Sequence, residues 1–141
     1  MSTGATILLV DDEQALLDYI GLALQMEDYQ VLTANDGIQA LELLQSQSAD
    51  LILADIAMPN MNGYQLYEKV CQNPDWVKIP FIFLTARVLD SDIRFGKELG
   101  VDDYLTKPIQ PEDLLAAVRG KLRHVQHLKD AARPKSIVAG D

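Results

Sequence analysis

The chain has 141 residues, of which 48% are hydrophobic and 23% charged, and a formal net charge of −9; these numbers suit one globular domain with a tail. Residues 1–110 hold 17 acidic and six basic side chains, which excludes non-specific nucleic-acid binding by the body, and the basic groups from Arg119 to Lys135 read as a solvated helix face. The single cysteine, Cys71, excludes an intrachain disulfide, the opening MSTGATILLV lacks a secretory pattern, and no apolar run approaches a membrane span, so the expected setting is cytoplasmic, with no membrane contact.

Apolar strand-like runs and helically spaced segments alternate along the chain. The first strand, 6–10, runs into ILLVDDE at 7–13, and Leu16, Ile20 and Leu24 mark the helix after it. A second strand at 30–34 leads to Asn35-Asp36-Gly37, where Asp36 suits an N-cap, and Ile38, Leu41 and Leu44 form the next helical stripe. The third strand, 50–54, lies in LILADIAMPNMNG at 51–63 and ends at Asp55; Asn62-Gly63 is a turn signal, Leu66 and Val70 mark a helix, and Asn73-Pro74 stops it. The fourth strand, 79–84, lies in FIFLTAR at 81–87 and ends at Thr85. The segment 88–99 reads as a weaker and more mobile helix, because Ser91 and Gly96 lower its propensity and its apolar stripe is thin. The fifth strand, 101–105, leads through DYLTKPI at 103–109 to Lys107. The last helix opens with Pro111, Glu112 and Asp113 and carries Leu115, Val118, Leu122 and Val125. It extends past the expected domain end toward Leu128, and AARPKSIVAGD reads as a frayed terminus or linker. The division is a domain over 1–125 and a helical extension, tail or linker over 126–141.

Five strands alternating with five helices predict an α/β fold with a parallel sheet, and runs as apolar as ILLV and FIFL belong to a sheet covered on both faces. The doubly wound, flavodoxin-like order 2-1-3-4-5 follows, with ligands at the carboxyl ends of the strands where the winding reverses. Asp11, Asp12, Asp55, Thr85 and Lys107 all stand at such ends, so the pattern gathers three carboxylates, one hydroxyl and one ammonium. Clustered carboxylates repel unless a cation binds, and a site built of oxygen ligands suits Mg²⁺. A carboxylate can also attack phosphorus and form an aspartyl phosphate. Lys107 supplies a point charge and Thr85 a hydroxyl for phosphoryl oxygens, and the small Ala86 leaves room beside them. His124 and His127 lack a third ligand and read as exposed helix residues, while Cys71 and Trp76 read as packing and Met58 and Met61 as cover for the site loop.

These fragments resemble the receiver domain of two-component response regulators over about residues 5–125: Asp11-Asp12, Asp55, Met58-Pro59 with Asn62-Gly63, Thr85-Ala86 and Lys107-Pro108, in that order. The resemblance implies a phosphorylation-dependent signalling switch rather than an enzyme in its own right, one that assists its own phosphorylation and dephosphorylation. It implies Asp55 as phospho-acceptor and Mg²⁺ held by Asp12, Asp55 and the backbone carbonyl of Ala57, with Asp11 helping through water. Thr85 and Lys107 would hold phosphoryl oxygens, Lys107-Pro108 would be cis, and Tyr104 would be the switch residue that turns inward as Thr85 moves. Glu13 extends the acidic pair without being a ligand. The implied donor is a histidine kinase or histidine phosphotransfer protein. The implied output is a downstream effector protein or effector domain, with a homodimer through the last helices as an option and no direct nucleic-acid contact. Positions two beyond Asp55 and Thr85, here Ala57 and Arg87, tune dephosphorylation in such domains, and Ala57 offers an attacking water no hydrogen bond, so slow loss is expected.

Three alternatives stand beside this. A haloacid-dehalogenase-type phosphatase also uses an Asp nucleophile and Mg²⁺, but its Asp-x-Asp spacing here places Glu13 as the second carboxylate. A flavin or nucleotide carrier needs a phosphate loop, and the chain has neither G-x-G-x-x-G nor G-x-x-x-x-G-K-[ST], so no cofactor-binding residues are assigned. A degenerate receiver would act by protein contact alone.

Overall fold

The computed structural model describes residues 4–86, 94, 96, 98–100 and 103–132. Five strands, β1 (Thr6–Val10), β2 (Gln30–Ala34), β3 (Leu51–Asp55), β4 (Phe81–Thr85) and β5 (Tyr104–Thr106), form one sheet in the order β2-β1-β3-β4-β5. Every neighbouring pair is parallel, as the alternation of strand and helix signals predicts. Among the described residues the helices with assigned bounds are α1 (Gln14–Gln25), α2 (Gly37–Ser46), α3 (Gly63–Gln72) and α4 (Pro111–Ala132).

Successive strand residues point to opposite faces, and here both faces are buried. Leu8, Val10, Ile52, Ala54, Phe81 and Phe83 meet Ala40 and Leu44 of α2 and Leu66 and Val70 of α3 on one side. Ile7, Leu9, Leu51, Leu53, Ile82 and Leu84 meet Leu17, Ile20 and Leu24 of α1 and Leu114 and Val118 of α4 on the other. Burying each such aliphatic side chain contributes about 1.5–3 kcal/mol, so the three central strands anchor whatever their ends carry.

The helix boundaries follow local chemistry. Asp36 caps α2, its Oδ1 accepting from the Gln39 amide at 2.9 Å. Asn62 and Gln65 form a reciprocal capping box at the start of α3, a device present in the sequence but not singled out there. α3 stops at Gln72, before Asn73-Pro74. β4 begins at Phe81 rather than 79, because the Ile79 amide is spent on the Trp76 carbonyl in a turn and Pro80 has no amide to offer the ladder. β3 is displaced by one residue from 50–54, since Asp50 instead bonds Thr6 through both its amide and its side chain.

The predicted stripe Ile38, Leu41, Leu44 is rotated. Ile38 is 47% exposed, and α2 buries Gly37, Ala40 and Leu44 instead. The cause is Met61, whose side chain packs so closely on Gly37 that a Cβ there would lie 2.8 Å from its sulfur. That contact brings the Gly37 side of the helix to the core. Trp76 packs half-buried against the core, as expected. The expected helix over 88–99 falls largely outside the described residues, as do Arg87 and the tail from 133. α4 continues unbroken across residue 125 to Ala132.

Candidate functional site

The sheet register brings the strand ends to one rim. Val10 pairs with both Ala34 and Ala54, Asp55 with Leu84, and Thr85 with Thr106. Single hydrogen bonds then carry the ladder one step beyond the strands. The Asp11 amide donates to the Ala34 carbonyl (3.1 Å), the Ile56 amide to Leu84 (3.1 Å), and the Lys107 amide to Thr85 (2.7 Å). Asp11, Asp55, Thr85 and Lys107 are therefore fixed by backbone geometry, and the Lys107-Pro108 bond is cis, as the sequence resemblance implied.

Asp11 is fully buried, Asp55 and Thr85 are 6% exposed, and Asp12 is exposed. Oxygen atoms of Asp11, Asp12 and Asp55 all lie within 4.8 Å of one another. Lys107 Nζ bridges two of them, at 2.9 Å from Asp11 Oδ2 and 3.6 Å from Asp55 Oδ2. The other oxygen of Asp11 accepts from the Glu13 amide at 2.9 Å, so this carboxylate both turns the chain into α1 and faces the lysine. The Ala57 amide approaches Asp55 Oδ1 at 3.4 Å.

The electrostatics follow from this crowding. Burial raises the Asp55 carboxyl above its ordinary value, and the charges of Asp11 and Asp12 add to the rise, while Lys107 and the Ala57 amide oppose it. Burial alone would lower the Lys107 ammonium. The hydrogen bond to Asp11 and the charges of Asp11, Asp55 and Glu13 outweigh burial and hold it above its ordinary value. The site thus has more negative charge than one lysine neutralises. An excess of buried carboxylate oxygen is what a hard divalent cation relieves, so the donor set fits Mg²⁺. Among the described residues, neither Glu13 nor His124 nor His127 belongs to the metal-competent group.

Two glycines that the sequence marks as a turn residue and a weak helix residue make close contacts near the site. Gly63 lies under the site loop with its amide donating to the Ile56 carbonyl at 2.8 Å. A Cβ there would sit 2.4 Å from the Asp55 carbonyl oxygen and 2.9 Å from the Ile56 Cα, so only glycine lets α3 start this close to Asp55. Gly96 abuts the Tyr104 hydroxyl. The resemblance marks Asn62-Gly63 as part of its pattern, but the contact each glycine makes comes from non-local packing. Tyr104 itself is half-buried and stacks on Phe83 at a centroid distance of 5.9 Å.

The profile of the response regulator receiver domain matches residues 7–119. The transcriptional regulatory protein CpxR of Escherichia coli K12 is 44% identical over 117 residues, 83% of this chain and 49% of CpxR. A response regulator receiver domain (CheY-like) from Methanospirillum hungatei superposes with a TM-score of 0.81 at 31% identity, covering 87% of this chain and 97% of that one. The chemotaxis protein CheY4 of Vibrio cholerae gives a TM-score of 0.78 at 32% identity, covering 82% and 97%. The chain spans about half the length of the curated relatives it matches.

Proposed function

The chain belongs to the response regulator receiver family, and from that premise we propose that it is a signalling switch whose phospho-acceptor is Asp55. The observation that carries the assignment is the lysine bridge: Lys107 lies 3.6 Å from a buried Asp55 and 2.9 Å from Asp11, at the rim where Thr85 also ends its strand. A structural ion pair needs one carboxylate for one lysine. Here one ammonium faces two buried carboxylates, Asp11 and Asp55, with the exposed Asp12 within 4.8 Å of both, an arrangement suited to receiving a phosphoryl group.

In the proposed reaction an Asp55 oxygen attacks the phosphorus of a phosphohistidine. A carboxylate O–P bond forms, the imidazole N–P bond breaks, and the imidazole leaves with a proton. Lys107 moves from neutralising Asp55 to neutralising the developing phosphoryl charge, a short shift because it already stands beside Asp55. Thr85 donates its hydroxyl to another phosphoryl oxygen. Asp12, Asp55 and the Ala57 carbonyl would hold Mg²⁺ directly, with Asp11 acting through water. When bound, the ion supplies the positive charge that the trio lacks. Thr85 and Tyr104 form the switch, and the rim around β5 and α4 carries the altered surface.

The donor is a histidine kinase or histidine phosphotransfer protein, and the output goes to an effector protein or an effector domain. The protein works in the cytoplasm; among the described residues no helix is long and apolar enough to cross a membrane. Dimerisation through the last helices is supported by the length of α4, whose Leu128 is 56% exposed. The haloacid-dehalogenase reading loses its second carboxylate, because Glu13 stands outside the carboxylate trio.

Intact-mass spectrometry after incubation with acetyl phosphate tests the proposal. A gain of one phosphoryl group that requires both Mg²⁺ and Asp55, and that is absent in Asp55→Asn, is expected. No gain from either acetyl phosphate or a phosphorylated histidine kinase would overturn it and leave a receiver acting by contact alone.

A further inference from the structure

Tyr104 does not point to solvent. Its hydroxyl lies 3.1 Å from that of Tyr64, a residue only 5% exposed at the start of α3. Its ring stacks on Phe83, its register partner across β4 and β5, with 30° between planes, and Phe83 in turn packs against Tyr64 at 5.0 Å. Phe83 is two residues before Thr85 on the same strand face, so the aromatic row ends beside the site hydroxyl.

Gly96, helical and buried, closes this row from the other side. A Cβ at residue 96 would lie 1.7 Å from the Tyr104 hydroxyl oxygen and 2.9 Å from that of Tyr64. No side chain larger than hydrogen is compatible with both hydroxyls in these positions. The atom that would have to move is the tip of a rotatable side chain rather than backbone, so an added methyl would displace Tyr104 and leave the fold standing. Tyr64 supplies the second requirement. A phenol hydroxyl taken from water needs a partner, and the neighbouring phenol can donate or accept.

We propose that Gly96 and Tyr64 form a preformed seat that holds Tyr104 inward in the absence of a phosphoryl group, with Tyr64 as a positioning residue for the switch. The proposal rests on the switch reading of Tyr104. Its consequence is that the inward arrangement is populated at rest, and phosphorylation of Asp55 adds to a bias already present.

Per-residue nitration of the full chain by tetranitromethane, read by peptide mass spectrometry, tests this with Tyr19 (51% exposed) as the internal standard. In the unmodified protein Tyr104 is expected to react several-fold more slowly than Tyr19, with little change on adding beryllofluoride and Mg²⁺. Gly96→Ala is expected to bring Tyr104 close to the Tyr19 rate. Tyr64→Phe is expected to raise the Tyr104 rate about fivefold, the ratio set by one net hydrogen bond, and to make it respond to beryllofluoride. Tyr104 reacting as fast as Tyr19 at rest would overturn the proposal, and so would wild-type rates in Tyr64→Phe. If Gly96→Ala fails to fold, Tyr64→Phe decides alone. Phosphoryl uptake measured on the same samples keeps the two readings apart: its absence overturns the assignment of Asp55 and leaves the resting nitration rates to judge the seat.

Discussion

Asp55→Asn is expected to stabilise the metal-free protein by about 1–3 kcal/mol at neutral pH, although it alters a buried residue at the centre of the site. Asp11 and Asp55 oxygens within 4.8 Å repel by about 3.5 kcal/mol at an effective dielectric of about 20. Lys107 at 3.6 Å from Asp55 returns about 4.6 kcal/mol. Asp12 is exposed and adds only a screened repulsion. The charge terms nearly cancel, so the burial of a carboxylate that is 6% exposed decides the sign, and it opposes the charged form. The amide keeps the shape and removes the charge, and Lys107 keeps its closer partner, Asp11. The pH dependence has a fixed direction. The folded carboxyl is raised above the unfolded value of about 3.9, so its favourable contribution is present in full below that value and is lost as pH rises through the folded one. The stability gap between variant and wild type therefore widens as pH rises from below about 3.9 through the raised folded value. Urea unfolding at low ionic strength with a chelator measures it. Added Mg²⁺ should stabilise the wild type by about 2.7 kcal/mol at a hundredfold excess over Kd and the variant by less, because a ligand is gone. A variant no more stable than wild type without metal at pH 7 would refute the account of the site as a repulsive carboxylate cluster.

Lys107→Ala leaves Asp11 and Asp55 buried without a cation, and should cost about 3–5 kcal/mol in metal-free protein, read by urea unfolding, together with slower phosphoryl uptake by mass. Gly63→Ala forces a methyl to within 2.4 Å of backbone that cannot yield cheaply; a loss of about 1–3 kcal/mol is expected, with reduced Mg²⁺ affinity by titration because Asp55 is pushed out of place. Asp36→Ala removes the α2 cap and the 3.4 Å contact to Asn60 of the site loop, and a melting experiment should show a loss of about 1 kcal/mol. The phosphorylated protein should keep its group for minutes or longer in Mg²⁺, as timed by intact mass, since Ala57 has no side-chain hydrogen bond for an attacking water. A lifetime of seconds would count against that.

Strand placement and the identity of the rim residues were legible in the chain because they depend on local pattern. Runs such as ILLV and FIFL have no polar face, so they belong inside a covered parallel sheet, and the first polar residue after each run necessarily falls at a strand end. Asp11, Asp55 and Thr85 follow from that rule, while Lys107 stands one residue beyond Thr106 and is marked by its place before Pro108. Capping was equally local: Asp36 and Pro111 occupy the positions their side chains favour. What needed the tertiary structure was every property that depends on the distance between separate segments. Ile38 lies outside because Met61, 23 positions later, claims the Gly37 face of its helix. Lys107 turns to Asp11 more closely than to Asp55, a choice between two carboxylates that strand order alone leaves open. Gly63 and Gly96 look in the chain like a turn residue and a weak helix residue. Folded, each is the absence of a methyl group at a point where two elements meet, and although Asn62-Gly63 belongs to the recognised pattern, the contact itself depends on which segments the fold brings together.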